Sequence, residues 1–260
     1  PNAGAPSNVV KNRNSFPATV NSRTDIDLTF DLDSYTTDPI KISLAETVEL
    51  SYSKRESVIR QDRAKLQDVI SEGILAKWFP SATNSIKTTG SAVPAHTPSA
   101  TGKRKAFTKE DVRAAMKAFN KQNIPQTDRY LLIDADMYDQ LVASLTAQEA
   151  MAFFAGVDVA NGIVGKLFSF NIMMRSRVGV YATDGTFKEW SAAGAATDNA
   201  AALAWHTNSV CRALGEVVVY EEPNSPTYYG DIYSFEVRAG GRAMRNDVAG
   251  LLAIIQDTAS

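Results

Sequence analysis

The sequence predicts a mixed α+β fold with an extended β-hairpin arm near its beginning, and three observations carry that expectation. The stretch "DIDLTFDLD", Asp25 to Asp33, alternates acidic and apolar residues, so an extended strand puts Ile26, Leu28, Phe30 and Leu32 on one face and Asp25, Asp27, Asp31 and Asp33 on the other. Val58, Ile59, Leu66, Val69, Ile70, Ile74, Leu75 and Trp78 recur on a 3.6-residue stripe, the mark of one long amphipathic helix. Short runs of strand and helix type then alternate to the end, without a sequence repeat.

In chain order, a polar, Asn-rich start (Pro1 to Asn14) leads into the Asp row. Across Ser34 to Pro39 follow Ile40, Ile42 and Leu44, then Val48, Leu50 and Tyr52, spaced again by two, so a long hairpin is expected over residues 18 to 52. Ser53-Lys54-Arg55-Glu56 has the form of a capping box, and the striped helix should run from it for about 25 residues and end by Pro80. Ser81 to Gly102, dominated by small and polar residues, predicts a mobile loop.

Thr108-Lys109-Glu110-Asp111 starts a second helix with Val112, Met116 and Phe119 on its apolar side, and Asn123 to Arg129 turns the chain. Tyr130 to Ile133 is a short buried strand. Met137 to Leu145 and Thr146 to Phe154 read as short helices, the second opened by a Thr146/Glu149 capping box; Leu167 to Met174 and Val178 to Tyr181 return to strand. Asp184-Gly185 predicts a tight hairpin turn, Ser191 to Ala202 a loop, Asn208 to Leu214 a helix and Val217 to Tyr220 a strand. Tyr233 to Arg245 is expected as a long strand with a bulge at Gly240-Gly241.

Composition narrows the function. With 260 residues, 44% hydrophobic and 22% charged, the chain can bury a substantial core. Its 27 basic and 29 acidic residues give a formal charge of −2, so no net cationic field draws nucleic acid or an anionic membrane. One cysteine excludes an internal disulfide, and two histidines cannot complete a Cys/His zinc cage. Residues 1 to 20 hold no apolar block of signal-peptide length, and the most apolar run, Val248 to Ile255, is too short to cross a bilayer, so no membrane role is expected. An opening on Pro1 is consistent with loss of an initiator methionine or of a longer leader.

Catalytic signatures are weak. There is no Gly-x-Ser-x-Gly, Cys211 in an amphipathic segment reads as a small core residue, and Gly165-Lys166 fails as a phosphate loop because Leu167 follows where Ser or Thr is needed. Asp134 and Asp136 after a strand could hold a divalent cation, which would suit a metal-dependent transferase; the competing reading makes Asp136 the cap of the helix at Met137. The Asp row fails as a calcium loop because Phe30 stands at the glycine position and Thr36 at that of the bidentate Glu. His206 and His96 lack a nucleophile motif nearby, so packing is the expectation for both. Lys103-Arg104-Lys105 and the series Lys54, Arg55, Arg60, Arg63 and Lys65 carry no interleaved aromatics and read as solvated helix surface or partner contact. The arm is the strongest signal. A hairpin alone is marginal in water, so its apolar face must lie on its own domain or on a neighbouring subunit, with basic side chains opposite the Asp row.

The Asp-rich hairpin, the long helix, "RYLLIDADMYDQL" and "AALAWHTNSVCRALGEVVVYEEPNSPTYYGDIYSFEVRAGGRAMRNDVAGLLAIIQ" together resemble, from Val20 onward, major capsid proteins of tailed double-stranded DNA bacteriophages with the Hong Kong 97 fold. That resemblance implies an N-terminal arm (1–17), an extended loop (18–52), a peripheral domain with the spine helix (53–124), an axial domain (125–215), and a return to the peripheral domain (216–260) that includes Val248 to Ile255. It implies hexamers and pentamers of an icosahedral head around double-stranded DNA held without sequence-specific binding, assembled in the bacterial cytoplasm. Portal and scaffolding functions and decoration proteins are the implied partners, with scaffolding removed or supplied separately, since no long acidic or helical scaffolding segment is seen at this N-terminus. No cofactor and no catalysis are implied. Contacts between subunits are expected at Asp25, Asp27, Phe30, Asp31 and Asp33 and at Lys54, Arg55, Arg60 and Arg63. An encapsulin-like shell around an enzyme is the alternative within the same fold.

Overall fold

The computed structural model describes residues 9–14, 16, 17, 20, 22, 29–43 and 54–259. Its first strands are β1 (Asp33–Thr36) and β2 (Ile40–Ser43), and the long helix α1 covers Lys54–Trp78. Three short strands follow, β3 (Ser85–Lys87), β4 (Ala92–Pro94) and β5 (Lys103–Lys105), then helix α2 (Lys109–Lys121). β6 (Arg129–Asp134) leads into α3 (Ala135–Ser144) and α4 (Ala147–Phe154). The remainder is strand: β7 (Ile163–Leu167), β8 (Phe170–Arg175), β9 (Gly179–Tyr181), β10 (Phe187–Lys188), β11 (Asn199–His206), β12 (Val210–Leu214), β13 (Val218–Ser225), β14 (Gly230–Ala243) and β15 (Leu251–Ile255).

These strands make two main sheets. In the larger, the order runs β7-β8-β6-β11-β15-β3, with β9 beside β11 beyond the end of β6 and β10 on β9. Leu131, Ile133, Phe170, Ile172, Ala202, Ala204 and Ile254 point from it toward Val112, Phe119, Met137, Leu141 and Phe153 of the three shorter helices. Leu132, Leu203 and Leu251 point the other way, to Leu75, Trp78 and Val178. A sheet covered on both faces carries nearly continuous apolar strands, which is why β11 and β15 are buried along almost their whole length.

The smaller sheet is built on β14, flanked by β12 and β13 on one edge and by β1 and β2 on the other. Leu66, Ile70 and Ile74 of α1 pack on its Phe235, Val237 and Ala239. The helix thus serves both cores, the small sheet along its middle and the large one at its C-terminal end.

Of the expected hairpin, the described part holds β1, which from Ser34 on falls in the stretch read as its connection, and β2, and these two do not pair with each other. Both run antiparallel to β14 and lie end to end along it, Asp33 opposite Ala239 and Ile40 opposite Tyr233. No turn reverses the chain across Ser34 to Pro39; Thr37 continues the ladder, its N–H donating to Phe235 O (3.0 Å) and its Oγ1 accepting from Phe235 N–H (2.9 Å). Residues 23–28 and 44–53, with the Ser53 end of the expected capping box, lie outside the described residues.

Other departures follow from what each segment packs or pairs with. Ser81 to Gly102 is held by ladders, β3 on β15 and β4 on β5, so its small residues serve tight packing; a side chain at Gly90 would meet Ala106 O and Thr108. Leu167 to Met174 is split by a turn at Phe168-Ser169, both at positive φ (45° and 71°), which folds β7 onto β8. Ala200 to Ala202, expected in a loop, lie in the first half of β11, where small side chains let the neighbouring layers close in. Val210 to Leu214 is a strand and not a helix because it finds β14 to pair with, Arg212 opposite Gly241. That register is unbroken through Gly240-Gly241, so there is no bulge; the glycines make room, since a side chain at Gly241 would come within 2.9 Å of Trp78 Nε1 and 3.0 Å of Ile74 Cγ2. The closing run, expected to return to the peripheral domain with the long strand, joins the large sheet as β15, and β12, expected with residues 125–215, joins the small one.

Candidate subunit-contact site

Arg55, Arg60 and Arg63 lie on the N-terminal half of α1, and Lys54 is its first residue. Arg55 is engaged within its own chain: Nη2 is 3.6 Å from Glu221 Oε1 and the guanidinium stacks 4.8 Å over the Tyr233 ring. Arg60 and Arg63 are exposed and pair with nothing among the described residues. Of the Asp row, Asp25 and Asp27 lie outside the described residues; Phe30 is half-buried and Asp31 exposed. Asp33 opens β1, with Lys77 Nζ at 3.6 Å, a half-exposed pair contributing at most about 1 kcal/mol. The cation opposite Asp33 therefore comes from this chain.

Asp33 also borders a cleft of 380 Å³ between β1, α1 and residues 189–191, lined by Tyr35, Glu72, Lys77, Glu189 and Trp190 among others. Burial first, then the charges of Asp33 and Glu189, push the Tyr35 phenol above its ordinary pKa. A side chain at Gly73 would collide with the Tyr35 hydroxyl, so that glycine lets β1 close on the helix. On its other side α1 is tied to β8 by Arg175, which pairs with Asp68 and, at 3.6 Å, with Glu72.

Two apolar surfaces went unrecognised as such in the sequence. One runs along β12 and β13 to the turn before β14: Leu214, Val218, Val219 and Tyr220 are exposed, and Tyr229 is 82% exposed. The other is at the far end of the large sheet, where Met151, Phe154, Val157 and Val159 reach solvent.

The Asp-x-Asp pair resolves into a cap. Asp134 Oδ1, not Asp136, accepts the Met137 N–H (2.7 Å) at the start of α3, and Asp134 Oδ2 lies 2.9 Å from His96 Nε2. Asp136 is exposed one residue into the helix, and ligand atoms of the three residues lie within 4.8 Å of one another. Both oxygens of Asp134 are thus committed to hydrogen bonds, beside a helix N-terminus that favours anions over cations, so the geometry is that of a hydrogen-bonded corner. His206 is buried, its Nδ1 accepting from Asn208 N–H (3.1 Å). Cys211 donates to Arg242 O (3.3 Å). Arg104 is 3% exposed, far from a solvated surface: its guanidinium donates to the carbonyls of Thr101, Lys103, Ala196 and Asp198.

No family model matches the chain, and no curated protein matches it in sequence. Solved structures do match in fold. The capsid of Ralstonia phage GP4 superposes with a TM-score of 0.62 at 15% identity, covering 88% of this chain and 74% of that one. The capsid structure of the cyanophage P-SCSP1u gives 0.60 at 16% identity, over 97% of this chain and 80% of the other. A structure from Mycobacterium phage Che8 gives 0.60 at 16% identity, over 97% and 82%. The chain has the fold of these phage capsid structures.

Proposed function

We propose that this chain is the major capsid protein of a tailed double-stranded DNA phage, self-assembling into hexamers and pentamers of an icosahedral head. The observation that carries the proposal is the likeness in fold to the cyanophage and Che8 structures over 97% of the chain. Within a Hong Kong 97-type fold, α1 takes the part of the spine helix, the β14 sheet that of the peripheral domain, and the β6-β11-β15 sheet that of the axial domain. Asp25, Asp27, Phe30 and Asp31 of one copy meet Lys54, Arg60 and Arg63 of another. Asp33 and Arg55 add less, because each already has a partner in its own chain. Contacts of this kind join unlike surfaces, and such contacts close into rings. A formal charge of −2 suits a wall that encloses DNA without gripping its sequence. Portal, scaffolding function and decoration proteins would complete the particle, which is built in the host cytoplasm and ends in the virion.

Electron microscopy of the chain expressed with its neighbouring phage genes tests this reading. Closed icosahedral particles that contain DNA are expected. Closed particles that exclude DNA and hold an enzyme would make the protein a compartment shell instead, and a soluble monomer with metal-dependent activity would overturn both.

A further inference from the structure

The loop from Ala95 to Gly102 joins β4 to β5 and is fastened on two sides. On one side it meets residues 194–198: Thr101 N–H donates to Ala196 O (3.0 Å), Thr97 Oγ1 to Asp198 O (3.4 Å), and a side chain at Gly194 would collide with Pro98 O. On the other side its one link among the hydrogen bonds of the described residues is His96, which reaches 38 residues along the chain to Asp134. The hairpin in turn holds the end of the chain, through Lys105 N–H to Asp257 O (2.8 Å), Ala259 N–H to Lys103 O (3.1 Å) and the Lys105–Asp257 ion pair (2.7 Å).

The charges around His96 are unbalanced when its ring is neutral. From the β6–α3 corner it faces the carboxylates of Asp134 and Asp136. From the 194–198 loop the nearest acid is Asp198, whose charge is matched by Lys188 at 2.8 Å. Its own hairpin carries Lys103, Arg104 and Lys105, of which Arg104 is spent on four carbonyls and Lys105 on Asp257. The His96 side chain is 15% exposed and that of Asp134 only 7%, so this contact is poorly screened.

We propose that His96 is a proton-operated strap: protonated, it fastens the 95–102 loop to the corner where β6 meets α3, and on losing its proton it loosens that loop and the hairpin behind it. A hydrogen bond from an imidazolium to a carboxylate is roughly twice as strong as its neutral counterpart. Burial pulls the His96 pKa down, but the hydrogen bond and charge of Asp134, with the charge of Asp136, outweigh it and hold the pKa above the ordinary 6.5. A group that binds its proton more tightly when folded stabilises the fold fully below its unfolded pKa, and the contribution fades as pH rises through the folded value. The strap is therefore fully closed below about pH 6.5 and opens only as pH rises through the higher value that His96 has in the folded chain.

Hydrogen–deuterium exchange of the full chain, read by mass spectrometry on the segment 92–106 at about pH 6 and about pH 8.5, tests the proposal against His96→Gln. Glutamine keeps a donor for Asp134 but does not titrate, so the ratio of the two proteins' rates at each pH removes the pH dependence of exchange chemistry itself. Wild type should be protected about fivefold more than the variant at the lower pH and equally at the higher, the gap between a charged and a neutral hydrogen bond. The His96 ring, followed by NMR in a chain with two histidines, should titrate above the ordinary histidine value, and Asp136→Asn should lower its midpoint while leaving the Asp134 contact in place. A protection ratio that does not change with pH, or a His96 midpoint at or below the ordinary value, overturns the proposal. Should His96→Gln not fold, the Asp136→Asn midpoint decides alone: no downward shift sinks the strap.

Discussion

Gly241 sits where α1 comes closest to β14, with Trp78 Nε1 and Ile74 Cγ2 around the place its side chain would occupy. Gly241→Val should cost about 1–3 kcal/mol by forcing the helix off the sheet, read as a lower denaturant midpoint with an unchanged slope. Glu149 offers a test by pH. Hydrogen bonds first from Lys109, then from the Thr146 N–H and hydroxyl, hold its carboxyl down to about 2. A depressed carboxyl stabilises above its unfolded value of 4.5 and loses that effect as pH falls through about 2. Glu149→Gln should therefore flatten the fall in melting temperature between those pH values; an unaltered profile would mean that the α4 cap carries no acid dependence. The Thr146/Glu149 and Thr108/Asp111 boxes could be read directly, because both partners of a capping box lie within four residues. The His96–Asp134 pair could not, since two residues 38 apart share no local pattern.

Among the elements, α1 was the most legible, its stripe of Leu66, Ile70 and Ile74 matching the core contacts with Phe235 and Val237. Ile70→Ala should cost about 2–5 kcal/mol in a chemical melt, while Val69 beside it, half-buried over the cleft, should tolerate the same change better. The outward face makes a different prediction. Arg60→Glu with Arg63→Glu should leave folding stability within about 0.5 kcal/mol of wild type and yet reduce assembly, measured as the yield of sedimenting particles. Full particle yield from that double variant would remove these arginines from the contact. Misread elements share one cause. Val210 to Leu214 and Ala200 to Ala202 take their form from a distant partner strand, so local propensity pointed elsewhere. The arm was partly legible: the alternation of Ile40 and Ile42 marked β2, whereas Ser34 to Thr36, read as a connection, form β1 because β14 of the same chain pairs with them.

At the scale of the molecule, one helix joins two sheets into a body with its buried core spent, leaving the exposed β12–β13 edge, the Met151–Val159 end and Arg60 and Arg63, unpaired among the described residues, facing outward. The mixed fold class could be read from the order of the runs, whereas the membership of strands in sheets could not, because β15 and β12 cross between the regions that chain order suggests. Sedimentation velocity of the purified full chain, with electron microscopy of each fraction, addresses the central claim most directly. Capsomers or closed particles built from this one polypeptide are predicted; a strictly monomeric species at every protein and salt concentration would contradict it.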